Sequence, residues 1–188
     1  MFFNLPTLLT WARIVAIPLI VGIFYLNVHQ PTRNLIATVL FVAVAITDWA
    51  DGYLARRLNQ TSSFGAFLDP VADKILVCAS LLILLQQDRV DTFVALVIIG
   101  REIAISALRE WMAKVGQAKS VAVAAIGKLK TVSQMVAIPL LLYHEELVLG
   151  LPDAQWLGTV LINIAAVLTV ASMLYYLRKA LPYAAVRA

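Results

Sequence analysis

Charge is what this sequence has least of. Only 14% of its 188 residues are Asp, Glu, Lys or Arg, against 62% that are hydrophobic, and the mean hydropathy is +0.87. Soluble domains usually carry roughly 45–50% apolar residues, so an ordinary water-soluble domain is excluded. A single membrane domain over residues 1–188, with no room for a second, is expected. Cysteine is almost absent too. Cys78, alone in the apolar run ILVCASLLILL, cannot form an intramolecular disulfide, so no oxidising compartment is implied. The first apolar stretch has neither a basic n-region nor an A-x-A site, so no cleavable signal peptide is expected. Internal repeats, low-complexity tracts and long linkers are also missing.

What is present is a series of apolar runs. Crossing the hydrocarbon takes about 20 predominantly apolar residues in a helix, and six stretches qualify: roughly 7–26, 35–56, 70–87, 92–113, 130–145 and 155–177. The expected fold is therefore all-α, a polytopic membrane protein of six transmembrane helices. The opening MFFNLPTLLTWARI interleaves Phe2, Phe3, Leu5, Leu8 and Leu9 with Asn4, Thr7, Thr10 and Arg13. An N-terminal interfacial helix leading into the first span suits that pattern, and so does a polar start to an ordinary span. With the N-terminus inside, cytoplasmic segments collect Arg13, Arg56, Arg57, Lys114, Lys119, Lys128, Lys130, Arg178, Lys179 and Arg187, and outer loops only Arg33 and Arg89. The positive-inside rule then puts both termini on the cytoplasmic side.

The second run ends in TDWADGYLARRLNQTSSFGAFLDPVADK, residues 47–74. Ionisable groups at a membrane edge are expensive and mark a site with partners. On a helix, Asp48, Asp51 and Ala55 share a face, as do Asp69 and Asp73 on the next one. The polar stretch from Asn59 to Ser63 reads as a turn that lets the two helices run antiparallel. Four carboxylates then converge at the cytoplasmic edge. Like charges so placed raise each other's pKa, and a hard divalent cation, or a pair, would compensate them. Gly52 and Ala55 leave room for a ligand, and Arg56 and Arg57 offer donors to phosphate. The plainer alternative is a set of helix-end salt bridges facing water, which leaves the spacing unexplained. Cys78 lies in an apolar run, His29 and His144 fall at the opposite ends of spans, and no serine has a base beside it, so no rival nucleophile stands out.

Asp48, Asp51, Gly52, Ala55 and Arg56, then eight residues, then Gly65, Asp69 and Asp73 match every defined position of D-x-x-D-G-x-x-A-R-x8-G-x-x-x-D-x-x-x-D. In this the chain resembles the CDP-alcohol phosphotransferases. The resemblance implies six membrane helices, a homodimer, a dinuclear Mg²⁺ or Mn²⁺ site and direct attack of an alcohol on a CDP-linked phosphate. By position it makes Asp48, Asp51, Asp69 and Asp73 metal ligands, with Asp73 also the general base. Gly52, Ala55, Arg56 and Ser62 would lie against the CDP moiety of the lipid donor.

The acceptor has to be read elsewhere. In VIIGREIAISALREWMAKVG, Arg101 and Arg109 lie about 80° apart around a helix, accompanied by Glu102, Ser106 and Glu110. Together with Lys128 they would suit a phosphate dianion, with Lys130 a less certain member. Ion pairs with the adjacent glutamates, or lysines binding anionic headgroups, are the alternative. NLPTLLTWARI, REIAISALREWMA and VAVAAIGKLKT resemble the branch of the family that joins CDP-diacylglycerol to sn-glycerol 3-phosphate. That resemblance covers residues 4 to about 176 and implies a multi-pass enzyme of the bacterial inner membrane, its site facing the cytoplasm. It assigns Arg101, Arg109 and Lys128 to glycerol 3-phosphate, and the expected partners are the two substrates, membrane lipids and a second copy of the chain, with no nucleic acid. Other acceptors within the family, and a cation channel with an acidic filter, are the rivals. Spans one, three and six show almost no polar residues at mid-depth, which argues against the channel.

Overall fold

The computed structural model describes residues 5–58, 63–117, 125–146 and 153–184, apart from the side chains of 5–9, 48–58, 63, 64, 66, 125, 126 and 184. Among the described residues there are six helices and no strand: α1 (Leu5–Ile23), α2 (Gln30–Leu58), α3 (Ser63–Gln86), α4 (Thr92–Lys114), α5 (Ala125–Tyr143) and α6 (Ala154–Ala184). The all-α expectation is met. Leu5–Ile23 is one uninterrupted helix, so the described residues contain no separate interfacial helix before the first span. Pro6 falls at the second position of that helix, where its missing N–H costs nothing, and the apolar run continues from there through Pro18 to Ile23 as one helix. The turn expected at 59–63 lies outside the described residues except for Ser63, which opens α3.

Helix ends are closed by identifiable devices. Asp91 caps α4 by accepting from the Phe93 and Val94 amides at 2.8 and 3.4 Å, satisfying donors that the first turn leaves open. Gly116 ends α4 with φ +78, where a residue without a Cβ is at least cost. There Gln117 N donates to Met112 O at 2.8 Å and Gly116 N to Ala113 O at 3.0 Å, a Schellman closure. Asp88, with φ 56, closes α3 in the same way.

The end of α5 is closed from another helix pair. The buried Arg89 guanidinium donates to the Leu141 and Leu142 carbonyls at 3.1 and 2.9 Å, and to Asn34 Oδ1 at 2.9 Å. Those carbonyls are orphans of the last turn, and the positive charge suits a helix C-terminus. The Asn34 amide in turn donates to Glu145 at 3.3 Å. Arg89, expected as a loop charge, is thus a buried structural clamp.

These contacts also fix direction. Arg89 joins the end of α3 to the end of α5 and the start of α2. At the other end of the molecule, Thr10 and Arg13 near the start of α1 meet Asp69 and Asp73 near the start of α3. Successive helices therefore alternate in direction. α1 packs on α2 and α3, α2 on α5, α3 on α4 and α5, and α4 on α6; the α5–α6 pair is the most extensive. Gly158 makes that pair close: a Cβ there would meet the Leu141 side chain at 2.7 Å. One core joins Ile20, Phe41, Leu81, Leu84, Ile98 and Leu141 from five helices, and a smaller cluster unites Ile105 and Met112 with Tyr176 and Ala180.

The outer faces are apolar as well. Val15, Val39, Leu82, Phe93, Ile103, Val136 and Val167 are all exposed, an arrangement costly in water. Two stretches, Gln30–Thr47 and Ala154–Tyr183, are long and apolar enough to cross a membrane, and Thr10–Ile23 is a shorter apolar run. Composition explains why α3 and α4 fall short. α3 carries Asp69, Asp73 and Lys74, and α4 carries Arg101, Glu102, Arg109 and Glu110.

Replacing Arg89 by Met keeps much of the side chain's length but leaves buried carbonyls without donors. The expected loss is about 1–3 kcal/mol, read as a lower Tm of detergent-solubilised protein. An unchanged Tm would remove the clamp.

Candidate active site

The site is built on the first turns of α3. Asp69 and Asp73 are one turn apart and face α1, whose Thr10 and Arg13 are spaced to meet them. The Thr10 hydroxyl donates to Asp69, and Arg13 Nη1 donates to Asp73 Oδ1 at 2.7 Å. The Arg13 side chain is 2% exposed, whereas that of Asp73 is 38% exposed. A guanidinium so deeply buried calls for a carboxylate partner, and the contact orients Asp73 while leaving the carboxylate accessible. The sequence reading missed this role for Thr10 and Arg13. Their three-residue spacing against the aspartates' four-residue spacing was the signal, but helix packing had to supply the register.

Asp48, Asp51, Gly52, Ala55 and Arg56 lie in the last part of α2, but their side chains are outside the described residues, as is all of Ser62. Convergence of four carboxylates is therefore not described. Among the described residues no group of three His, Cys, Asp or Glu side chains is placed to hold a metal. Asp69 and Asp73 offer hard oxygen donors, one turn apart on one face, which is the donor chemistry Mg²⁺ or Mn²⁺ takes. That pair fits half of a carboxylate set.

Across the site, α4 brings Arg101 and Arg109 toward α6. Arg101 is buried, with Nη2 donating to Ser172 Oγ at 3.1 Å and Nη1 to Glu102 Oε1 at 3.4 Å. Ser172 donates onward to the Thr169 carbonyl at 2.9 Å. The Arg109 guanidinium lies 5.4 Å from the Tyr176 ring centroid, in cation–π range. Lys128 is exposed at the start of α5. The cation that meets α4 is instead Lys130, buried and paired with Glu102. Arg101, Glu102 and Lys130 together carry one net positive charge, so the ion pairing weighed as an alternative is real at Arg101 yet leaves a cationic surplus.

A cavity of about 110 Å³ opens beside Asp73, walled by Glu102, Lys130, Thr131 and Gln134. A carboxylate with a fixed guanidinium partner, next to a small hollow and a cluster with excess positive charge, can take up a proton from a hydroxyl and stabilise an anion.

The CDP-alcohol phosphatidyltransferase family model matches residues 3–174, and the chain belongs to that family of enzymes. Among its relatives are proteins named CDP-diacylglycerol–glycerol-3-phosphate 3-phosphatidyltransferase. Those of Shigella flexneri serotype 5b (strain 8401) and Escherichia coli (strain K12) are each 48% identical over 182 residues, covering 96% of this chain and 96% of theirs. The protein of that name from Salmonella choleraesuis (strain SC-B67) is 47% identical over the same share of both chains.

Arg13→Ala removes the 2.7 Å ion pair from Asp73. Transferase activity of the folded variant is expected to fall at least ~10-fold, with Arg13→Lys recovering part of it. Wild-type activity in Arg13→Ala would exclude a part for this pair in the reaction.

Proposed function

We propose that this protein is a multi-pass membrane enzyme that transfers the phosphatidyl group of CDP-diacylglycerol to sn-glycerol 3-phosphate, releasing CMP and phosphatidylglycerophosphate. The observation that carries the reading is the Asp69–Asp73 face held by Thr10 and Arg13, inside a complete aspartate signature. Support for the acceptor comes from the names of the near-full-length relatives. In this reading all six helices cross the inner membrane of a bacterium, with both termini and the site on the cytoplasmic side. That is supported by the apolar outer faces and by the end at which the cations gather: Arg13, Arg109, Lys114, Lys128, Lys130, Arg178 and Lys179 lie at the site end, Arg33 and Arg89 at the other. The active form is a homodimer, a reading that rests on the family resemblance; small residues near Ala165 permit helix contact.

The residues divide the work. Asp48, Asp51, Asp69 and Asp73 would hold divalent metal, Mg²⁺ or Mn²⁺ and two ions in this reading. When bound, metal neutralises the diphosphate and the leaving CMP. Gly52 and Ala55 leave space for the nucleotide, with Arg56 and Ser62 donating to its phosphates. Arg101, Arg109 and Lys128 bind the phosphate of the acceptor, whose free primary hydroxyl then lies at Asp73. The Asp73 carboxylate takes the proton from that hydroxyl as the oxygen attacks the phosphorus bearing the diacylglycerol. Arg13 keeps the carboxylate aimed, and no covalent enzyme intermediate is required.

Asp→Asn changes at positions 48, 51 and 69 are each expected to abolish metal-dependent CMP release while leaving a folded, extractable protein. Retained activity in all three would remove the metal-ligand assignment. Arg109→Ala should raise the KM for glycerol 3-phosphate far more than that for CDP-diacylglycerol. Equal effects on the two would return Arg109 to a packing role against Tyr176.

A further inference from the structure

Among the side chains that line the hollow beside Asp73, Gln134 carries a polar group that the roles above leave unused. Of the side chains on its α4 and α5 walls, Glu102 accepts from Lys130 and Arg101, and the Thr131 hydroxyl donates to the Gly127 carbonyl at 3.0 Å. Gln134 is 3% exposed, and its Oε1 is buried with no hydrogen-bond partner. A buried acceptor left unpaired is costly. Gln134 stands one turn beyond Lys130, on the wall of the cavity that Asp73 also lines.

Under the proposed function, the acceptor runs from Asp73, where its primary hydroxyl reacts, toward Arg101 and Arg109, where its phosphate sits. A three-carbon chain laid along that path has one remaining polar group, the secondary hydroxyl on its middle carbon. That hydroxyl would enter the region between Asp73 and the Glu102–Lys130 pair. A partner on the wall there would replace hydrogen bonds it otherwise makes to water. The cavity's volume, about 110 Å³, is well above the space a single water requires.

We infer that Gln134 is a specificity-determining residue whose side-chain amide hydrogen-bonds to the secondary hydroxyl of the acceptor. The enzyme then selects phosphorylated vicinal diols over acceptors that carry a primary alcohol and a phosphate alone. The hydrogen bond also fixes rotation about the carbon chain, which aims the primary hydroxyl at Asp73. The inference rests on the proposed function for the positions of the two acceptor ends.

The test compares sn-glycerol 3-phosphate with 3-hydroxypropyl phosphate, which lacks only the secondary hydroxyl. Purified full-length wild type and Gln134→Met, a variant of similar length with no amide, are assayed for kcat/KM of CMP release. Wild type should prefer glycerol 3-phosphate by about tenfold or more. In Gln134→Met the preference should collapse toward one, through loss with glycerol 3-phosphate, while the KM for CDP-diacylglycerol stays put. The ratio of the two acceptors within one preparation does not depend on how much of the variant is folded. An unchanged ratio in Gln134→Met would overturn the inference even if total activity fell, and so would a wild type without preference. A wild type that releases CMP with some other acceptor but not with glycerol 3-phosphate would overturn the proposed function itself, a failure visible before any variant is made.

Discussion

A charge inside an apolar bundle has to be paired, and the Arg13–Asp73 contact is where this molecule meets that demand most directly. Arg13 is buried in a helix whose exposed residues, such as Val15 and Leu19, are apolar as well. α3 offsets its charge with a carboxylate at 2.7 Å. The reverse dependence holds as well. Asp73 is held in place by the guanidinium beside it, and part of its carboxylate stays exposed. The pair, with Thr10 on Asp69, sets the register of α1 on α3 and so the position of everything built on the first turns of α3.

The same economy governs the other polar groups. At the far end, Arg89 serves the last carbonyls of α5 and the amide of Asn34. Around the site, Glu102 stands between Arg101 and Lys130, and Ser172 on α6 takes the other arm of Arg101. Each buried cation is tied to a carboxylate, a carbonyl or a hydroxyl on another helix. The bundle is thus stitched by its few polar residues and filled by its many apolar ones. At the site end the stitching leaves a positive surplus, which a phosphorylated substrate would offset.

Much of this was legible in the sequence, and the parts that were not share a cause. The helices followed from run length and hydropathy, since the apolar runs are separated by polar or turn-forming residues, and α4 and α6 begin within a residue of their expected starts. The aspartate signature was legible because its spacing is local to two helices. Thr10, Arg13, Arg89 and Gln134 were not, since each acts across helices distant in the chain. Sequence spacing carries no information about which helix will face which. Lys128 and Lys130 illustrate the limit well. Two residues apart, they differ by about 200° around a helix, and only packing reveals that Lys130 turns inward to Glu102 while Lys128 is exposed.

The most direct measurement is CMP release from CDP-diacylglycerol by purified, detergent-solubilised protein. It would be run with Mg²⁺, Mn²⁺ or chelator, and with glycerol 3-phosphate, glycerol or inositol phosphate as acceptor. Metal-dependent release that requires glycerol 3-phosphate is the result expected from a carboxylate face beside a cationic pocket. Release that persists in chelator, or that proceeds equally well with unphosphorylated glycerol, would contradict it.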